Sequence, residues 1–219
     1  MPSKETLLSL PEVEVLRKLS QSIAMLEAIL NPEQDSRYYK FDSKWREGKM
    51  MASMSNGSGD EYFILFNAAG AVFKGFDHES TMSPYTNIEL NVWPGVLEEV
   101  PPEFLQSLLD PAFAIEDIRF CIWRRYMESS WRCGTINYPE ENEDSDGSAW
   151  LLSLMDGDLT KFCNFVEEYY ERSVDIEAVR HVYAYRPLTT EIVTKLNADM
   201  SLTALQQDID QIGYPSQAT

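Results

Sequence analysis

Three adjacent side chains in the segment KGFDHES could carry acid–base or metal chemistry: Asp77, His78 and Glu79. A histidine flanked by carboxylates could act as an oriented base or bind a metal ion, and the chain has only two histidines. However, the side chains of adjacent residues point in different directions, and no second histidine lies at HExxH or HxH spacing from His78. A loop histidine that hydrogen-bonds nearby backbone is therefore the simpler interpretation, and an enzyme site around His78 is the alternative.

A second candidate is a partial calcium loop. Asn142, Asp144 and Asp146 place oxygen-bearing side chains at positions one, three and five, glycine follows at position six, and Ser148 at position seven can offer its carbonyl oxygen. Position twelve is Ser153, where an EF-hand carries a bidentate glutamate. We therefore expect an acidic turn, with calcium binding by these residues as the alternative, and we predict no other cofactor.

Tryptophan and arginine side chains are concentrated between residues 93 and 150 of an otherwise acidic chain. Buried tryptophans, and inward arginines that neutralise carboxylates, are the ordinary interpretation. The alternative is a pocket for an anionic group, to which Trp93 and Arg124 would contribute beside residues 77–79. The full set is Trp93, Trp123, Trp131, Trp150, Arg119, Arg124, Arg125 and Arg132.

The N-terminal segment has the pattern of an amphipathic helix over residues 9–30. Ser9 and Glu12 have the spacing of a capping box, which predicts that the helix begins at Ser9. Apolar residues then recur at spacings of three and four, and Asn31-Pro32 ends the pattern. The apolar stripe lasts barely two heptads, so we expect it to pack on the protein's own sheet and not on a second chain.

Residues 37–138 have the pattern of an antiparallel sheet. The turn sequence Asn56–Asp60 separates MMASM from EYFILF, and a second turn at Asn67–Gly70 leads into AVFKGF, which together predict a three-stranded meander. An irregular connection over residues 77–101 and a short helix over Pro102–Leu109 should precede a buried strand over Ile118–Trp123.

Residues 150–213 have helical periodicity throughout. Strands in the first half and helices in the second predict an α+β fold, in which an antiparallel sheet from the N-terminal half carries helices, mainly C-terminal, on one face. The length and composition fit a single domain over residues 1–219.

The charge balance limits the choice of partners. Eighteen basic and thirty-six acidic residues give a formal net charge of −18, which repels nucleic acid and anionic lipid. No apolar run is long enough to span a membrane, no signal peptide is visible, and three cysteines without CxxC spacing are typical of reduced thiols. We therefore expect a soluble cytoplasmic protein that binds neither nucleic acid nor membranes.

The segment MMASMSNGSGDEYFILFNAAGAVFKGFDHESTMSPY resembles a family of uncharacterised bacterial proteins that carry this glycine hairpin and the GF-x-HES-x-MSPY stretch. The resemblance extends loosely through FCIWRR and DGSAWLL to EEYYE, over about residues 15 to 200. It implies a single-domain bacterial protein and supplies no catalytic residues.

Function is predicted mainly from the charge. Residues 140–177 contain twelve acidic residues against Lys161 and Arg172, which favours a noncatalytic binding protein with a basic protein partner. An immunity-like protein that masks a basic toxin would fit, although the same charge could serve solubility alone. The alternative is a hydrolase-like or metal-dependent enzyme, which would be favoured if His78 and Arg124 converged on one cleft.

Overall fold

The computed structural model describes residues 4–82, 91–111, 113–139 and 144–217. A six-stranded antiparallel sheet occupies the N-terminal half and most helices follow it, which confirms the predicted α+β fold. The helices are α1 (Lys4–Ser9), α2 (Val13–Leu30), α3 (Pro102–Leu108), α4 (Ser148–Leu151), α5 (Leu159–Tyr170), α6 (Ile176–Tyr183), α7 (Thr190–Leu196) and α8 (Gln206–Ile212).

The sheet is a continuous meander in which each strand pairs with the next one along the chain. The strands are β1 (Tyr39–Arg46), β2 (Lys49–Ser55), β3 (Glu61–Asn67), β4 (Gly70–Phe76), β5 (Phe120–Arg125) and β6 (Arg132–Cys133). The predicted turn over residues 56–60 joins β2 to β3, with Gly57 and Gly59 at positive φ. The meander is longer than the three strands predicted, because β1 precedes them and β5 and β6 follow.

The N-terminal helical region begins differently from the prediction. Helix α2 starts at Val13, and Ser9 ends the separate helix α1, where its hydroxyl donates to the carbonyl of Thr6 (2.9 Å). The predicted capping box between Ser9 and Glu12 is therefore wrong. The apolar stripe itself is buried as expected, and it packs into the same core as the sheet.

Both faces of the sheet are covered, because side chains alternate between two cores along each strand. On β4, Ala71 and Phe73 belong to a core shared with α2 and α5–α8, so these helices lie on one face. Val72 faces a second, smaller core formed with α3 and the segment around Phe113. Among the described residues, no helix has the length and apolar character needed to cross a bilayer.

Candidate functional site

Two turns at one end of the sheet bring Asp60 and His78 together. Asp60 ends the β2–β3 turn and His78 follows β4, and the pairing of Glu61 with Phe76 places them side by side. The Asp60 carboxylate oxygen Oδ1 accepts the backbone N–H of His78 (2.9 Å) and lies 2.6 Å from the imidazole Nδ1. Sequence reasoning missed Asp60, although it selected His78.

Asp60 is buried, and its surroundings favour the ionised form. Burial alone would raise the pKa of its carboxyl, but hydrogen bonds from the backbone and ring of His78 and from the Asn56 side chain outweigh burial and lower it. An ionised Asp60 accepts from Nδ1–H, which leaves Nε2 as the free nitrogen. The same hydrogen bond raises the pKa of His78, whose side chain is 46% exposed.

Asp77 is the third member of this cluster. Its Oδ1 accepts the backbone N–H of Glu79 (2.9 Å), and its Oδ2 lies 3.3 Å from the indole Nε1 of Trp150. Gly147 approaches so closely that a Cβ atom there would lie 2.3 Å from Oδ2. This contact, together with a positive φ of 76°, explains why glycine occupies position 147. The Glu79 side chain is 84% exposed, and its Oε1 lies 3.9 Å from the Nε2 of His78.

The cluster has the geometry of an oriented histidine more than that of a metal site. Asp60, Asp77 and His78 each offer a ligand atom within 4.8 Å of the others. However, the 2.6 Å separation of Asp60 Oδ1 and His78 Nδ1 is that of a hydrogen bond, so a metal ion bound by both would have to displace the proton between them. Within the described residues, no hydroxyl or thiol hydrogen-bonds to Nε2, and the Oε1 of Glu79 lies 3.9 Å from it.

Trp93 and Arg124, which were predicted to share a site with His78, lie away from the cluster of Asp60, Asp77 and His78. Arg124 pairs with Ala71 across β4 and β5, which places it about 20 Å from Asp77 along the strand, at roughly 3.3 Å per residue. Its Nε donates to the carbonyl of Glu128 (3.0 Å). Trp93 packs against the second core, and its indole donates to the carbonyl of Asn137 (2.9 Å). His78 and Arg124 therefore do not converge on one cleft.

In the partial calcium loop, Asn142 lies outside the described residues. The Asp144 carboxylate accepts the backbone N–H groups of Ala149 (2.8 Å) and Trp150 (3.0 Å), so it caps the start of α4. Asp146 is fully buried, accepts the N–H of Ser148 (3.0 Å), and has its pKa raised by burial. These contacts are those of an acidic turn, and calcium binding stays the untested alternative.

An aromatic cleft of about 490 Å³ lies beside the cluster, between the start of β1 and the helices α4 and α5. We use the name aromatic cleft for the surface lined by Tyr38, Met54, Trp150, Phe165, Glu168 and Tyr169, together with Lys161 at its edge. Trp150 and Tyr169 are each 45% exposed, which is unusual for such large side chains. The cleft was not predicted, because its aromatic residues come from three separate parts of the chain.

The cleft and the Asp60–His78 cluster are connected through the side chain of Trp150. Trp150 lines the cleft and also contacts Asp77. Tyr38 also lines the cleft, and its pKa is raised mainly by burial. The neighbouring Tyr169 and then Asp60 add smaller contributions in the same direction. The buried carboxylate of Asp77 thus lies behind the Trp150 side of the aromatic lining.

Next to the cleft lies an acidic segment, by which we mean the exposed carboxylates along α5, the following turn and the start of α6. Few basic side chains offset them: Lys161 pairs with Asp156 (2.5 Å), and Arg180 with Glu177 (3.3 Å). Arg172 donates to the carbonyl of Leu30 on the core side. The segment consists of Glu167, Glu168, Glu171, Asp175 and Glu177.

No protein-family model, no curated protein and no solved structure matches this chain.

Proposed function

We propose that this is a noncatalytic binding protein that uses the acidic segment to bind a basic protein partner. The observation that carries the proposal is the group Glu167, Glu168 and Glu171, which is exposed and, in the part of the chain that the structure describes, forms no ion pair. Unpaired carboxylates concentrated in one place produce a local negative potential that steers and orients a cationic surface.

The proposal includes a role like that of an immunity protein, and a location in the bacterial cytoplasm. An immunity-like protein needs a persistent, preformed surface of opposite charge to its target, and a rigid helix supplies one. The free thiols of Cys121, Cys133 and Cys163 fit a reducing compartment. Burial raises the pKa of the Cys121 thiol, so this residue is unreactive.

A pair of matched double variants tests the proposal. Glu167→Gln/Glu171→Gln removes two charges from the acidic segment, whereas Glu47→Gln/Glu116→Gln removes two exposed charges from the β1–β2 turn and from the segment that covers the other face of the sheet. The probe is a short peptide in which lysine alternates with serine, and its dissociation constant is measured by calorimetry.

We expect the first variant to weaken binding roughly three- to tenfold and the second less than about twofold, although both have the same net charge. Equal weakening by both variants would mean that only the overall charge matters, and it would overturn the proposal.

A second candidate function is an enzyme that uses His78, favoured by the 2.6 Å contact that orients its ring on Asp60. An oriented imidazole with a free Nε2 is the arrangement of a general base. Hydrolysis of a nitrophenyl ester faster than with free imidazole at the same concentration would support this candidate, provided His78→Gln abolishes it. His181→Gln is the control, because His181 binds the carbonyl of Pro187 and lies outside the cluster.

A further inference from the structure

We propose that the aromatic cleft is the pocket that receives an arginine side chain of the basic partner. This inference rests on the proposed function and adds the part of the partner that is recognised. It is carried by the juxtaposition of exposed aromatic rings and an unpaired carboxylate in a cleft of about 490 Å³, a volume within the range of sites for small ligands.

The lining offers flat aromatic faces. Phe165 and Tyr169 stack with 9° between their planes and 5.6 Å between centroids, and Tyr38 packs on Tyr169 edge to face at 4.5 Å. These contacts hold the rings in place without ligand. Trp150 stands apart from this group on α4 and is held by its indole contact to Asp77. A planar guanidinium group stacks on such faces, attracted by the π electrons of the ring.

The charge of the cleft selects a cation. Glu168 lines it and, among the described residues, has no basic partner. Lys161 is the one cationic side chain in the lining, and its ammonium group is bound to the carboxylate of Asp156 (2.5 Å) and the carbonyl of Ser153 (3.3 Å). The carboxylate of Asp77 lies behind the Trp150 side of the cleft, where its Oδ2 is 3.3 Å from the indole Nε1. The unpaired carboxylate of Glu168 attracts a cation and repels an anionic ligand.

Arginine is favoured over lysine because of the shape and hydration of its head group. The guanidinium is planar, holds its donors in a fixed fork, and is less strongly hydrated than an ammonium, so it can stack on Tyr169 or Trp150 while donating to the Glu168 carboxylate. A lysine head group would gain the charge interaction with less stacking.

The test compares two probe peptides of equal length and charge, one alternating arginine with serine and the other alternating lysine with serine. We expect wild-type protein to bind the arginine peptide roughly tenfold more tightly. Glu168→Gln and Tyr169→Leu should remove most of that preference. Tyr169→Phe, which keeps the ring, should retain it, and unchanged binding of the lysine peptide by Tyr169→Leu shows that the leucine variant is folded.

The outcomes separate this inference from the proposed function. If both peptides bind equally and both respond to Glu167→Gln/Glu171→Gln, the acidic segment binds cations but the cleft is not an arginine pocket. If the arginine preference is present and unchanged in Tyr169→Leu and Glu168→Gln, the pocket lies elsewhere and the inference is wrong. If neither peptide responds to the double variant, the proposed function fails.

Discussion

At the scale of single residues, the hydrogen bond between Asp60 and His78 should be visible in the titration of the imidazole. Because the folded-state pKa of His78 is raised above its ordinary value, the pair stabilises the protein below about pH 6.5 and loses this contribution as the pH rises through the folded-state pKa. We expect nuclear magnetic resonance to give His78 a pKa above the ordinary value, and Asp60→Asn to return it towards that value.

His181→Gln assigns the signals, since the chain has only two histidines. A His78 pKa that did not change in Asp60→Asn would contradict the described contact.

Glu27 has a pH dependence of its own, because its carboxyl is buried in α2 among apolar residues. Burial raises its pKa to about 7, against hydrogen bonds from the Tyr170 hydroxyl and the Tyr38 backbone N–H that favour the ionised form. Because the pKa of Glu27 is higher in the folded than in the unfolded state, its protonated carboxyl contributes stability below about pH 4.5. This contribution is lost as the pH rises through about 7.

Glu27→Gln resembles the protonated carboxyl and should therefore be more stable than wild type above about pH 8, by up to about 3 kcal/mol, with a smaller difference near pH 5. Urea unfolding at the two pH values measures the difference. Tyr170→Phe removes a hydrogen-bond donor to the Glu27 carboxylate. In this variant the stability should therefore fall more steeply with rising pH than it does in the wild type. A wild-type protein that is more stable than Glu27→Gln at high pH would contradict the assignment.

At the scale of elements, the approach of the α4 turn to the end of β4 holds the cluster together. Gly147→Ala adds a Cβ that would meet Asp77 at a φ of 76°, whereas Gly57→Ala meets the same backbone strain at a φ of 71° with no atom within 4 Å. Gly57→Ala, the control, should lower the free energy of unfolding by about 1 kcal/mol from the backbone strain alone. Gly147→Ala should lower it by about 2–4 kcal/mol.

The difference, measured by chemical unfolding, isolates the contact between Gly147 and Asp77. Equal losses in the two variants would mean that the turn can move away from the strand.

Local patterns explain why the elements could be predicted better than the site. Helical periodicity and turn residues act over a few positions, so the turn at residues 56–60 and the helices after residue 150 were predictable. The short turn that pairs Asn67 with Gly70 also fixes the register that pairs Glu61 with Phe76, so the proximity of Asp60 to residues 77 and 78 was available from sequence. The start of α2 was not predictable, because the Ser9 hydroxyl donates to the carbonyl of Thr6 within α1 and does not cap α2.

The aromatic cleft could not be derived in this way. It depends on how α4 and α5 pack beside the start of β1, which is decided by side-chain fit across distant segments and leaves no local pattern. The separation of Arg124 from His78 likewise depends on the register of β5, which follows a long connection.

At the scale of the whole molecule, the net charge of −18 should make partner binding depend on salt. Part of the acidic composition is structural: Asp146 is buried, and Asp144, Asp158 and Asp175 accept backbone N–H groups at helix starts. Glu167, Glu168 and Glu171 of the acidic segment are exposed and form no ion pair among the described residues, so their charge is available to a partner. Screening shortens the Debye length from about 8 Å at 0.15 M ionic strength to about 3 Å at 1 M, so its attraction should fade over that range.

The most direct measurement is the affinity of the alternating arginine–serine peptide for wild type, Glu167→Gln/Glu171→Gln and His78→Ala at about 0.15 M and about 1 M salt. We predict that wild-type binding weakens at least roughly tenfold at high salt, that the double variant is weakened already at low salt, and that His78→Ala binds as wild type does. Binding that survived high salt and was abolished by His78→Ala would contradict the account, and function would then lie with the Asp60–His78 cluster.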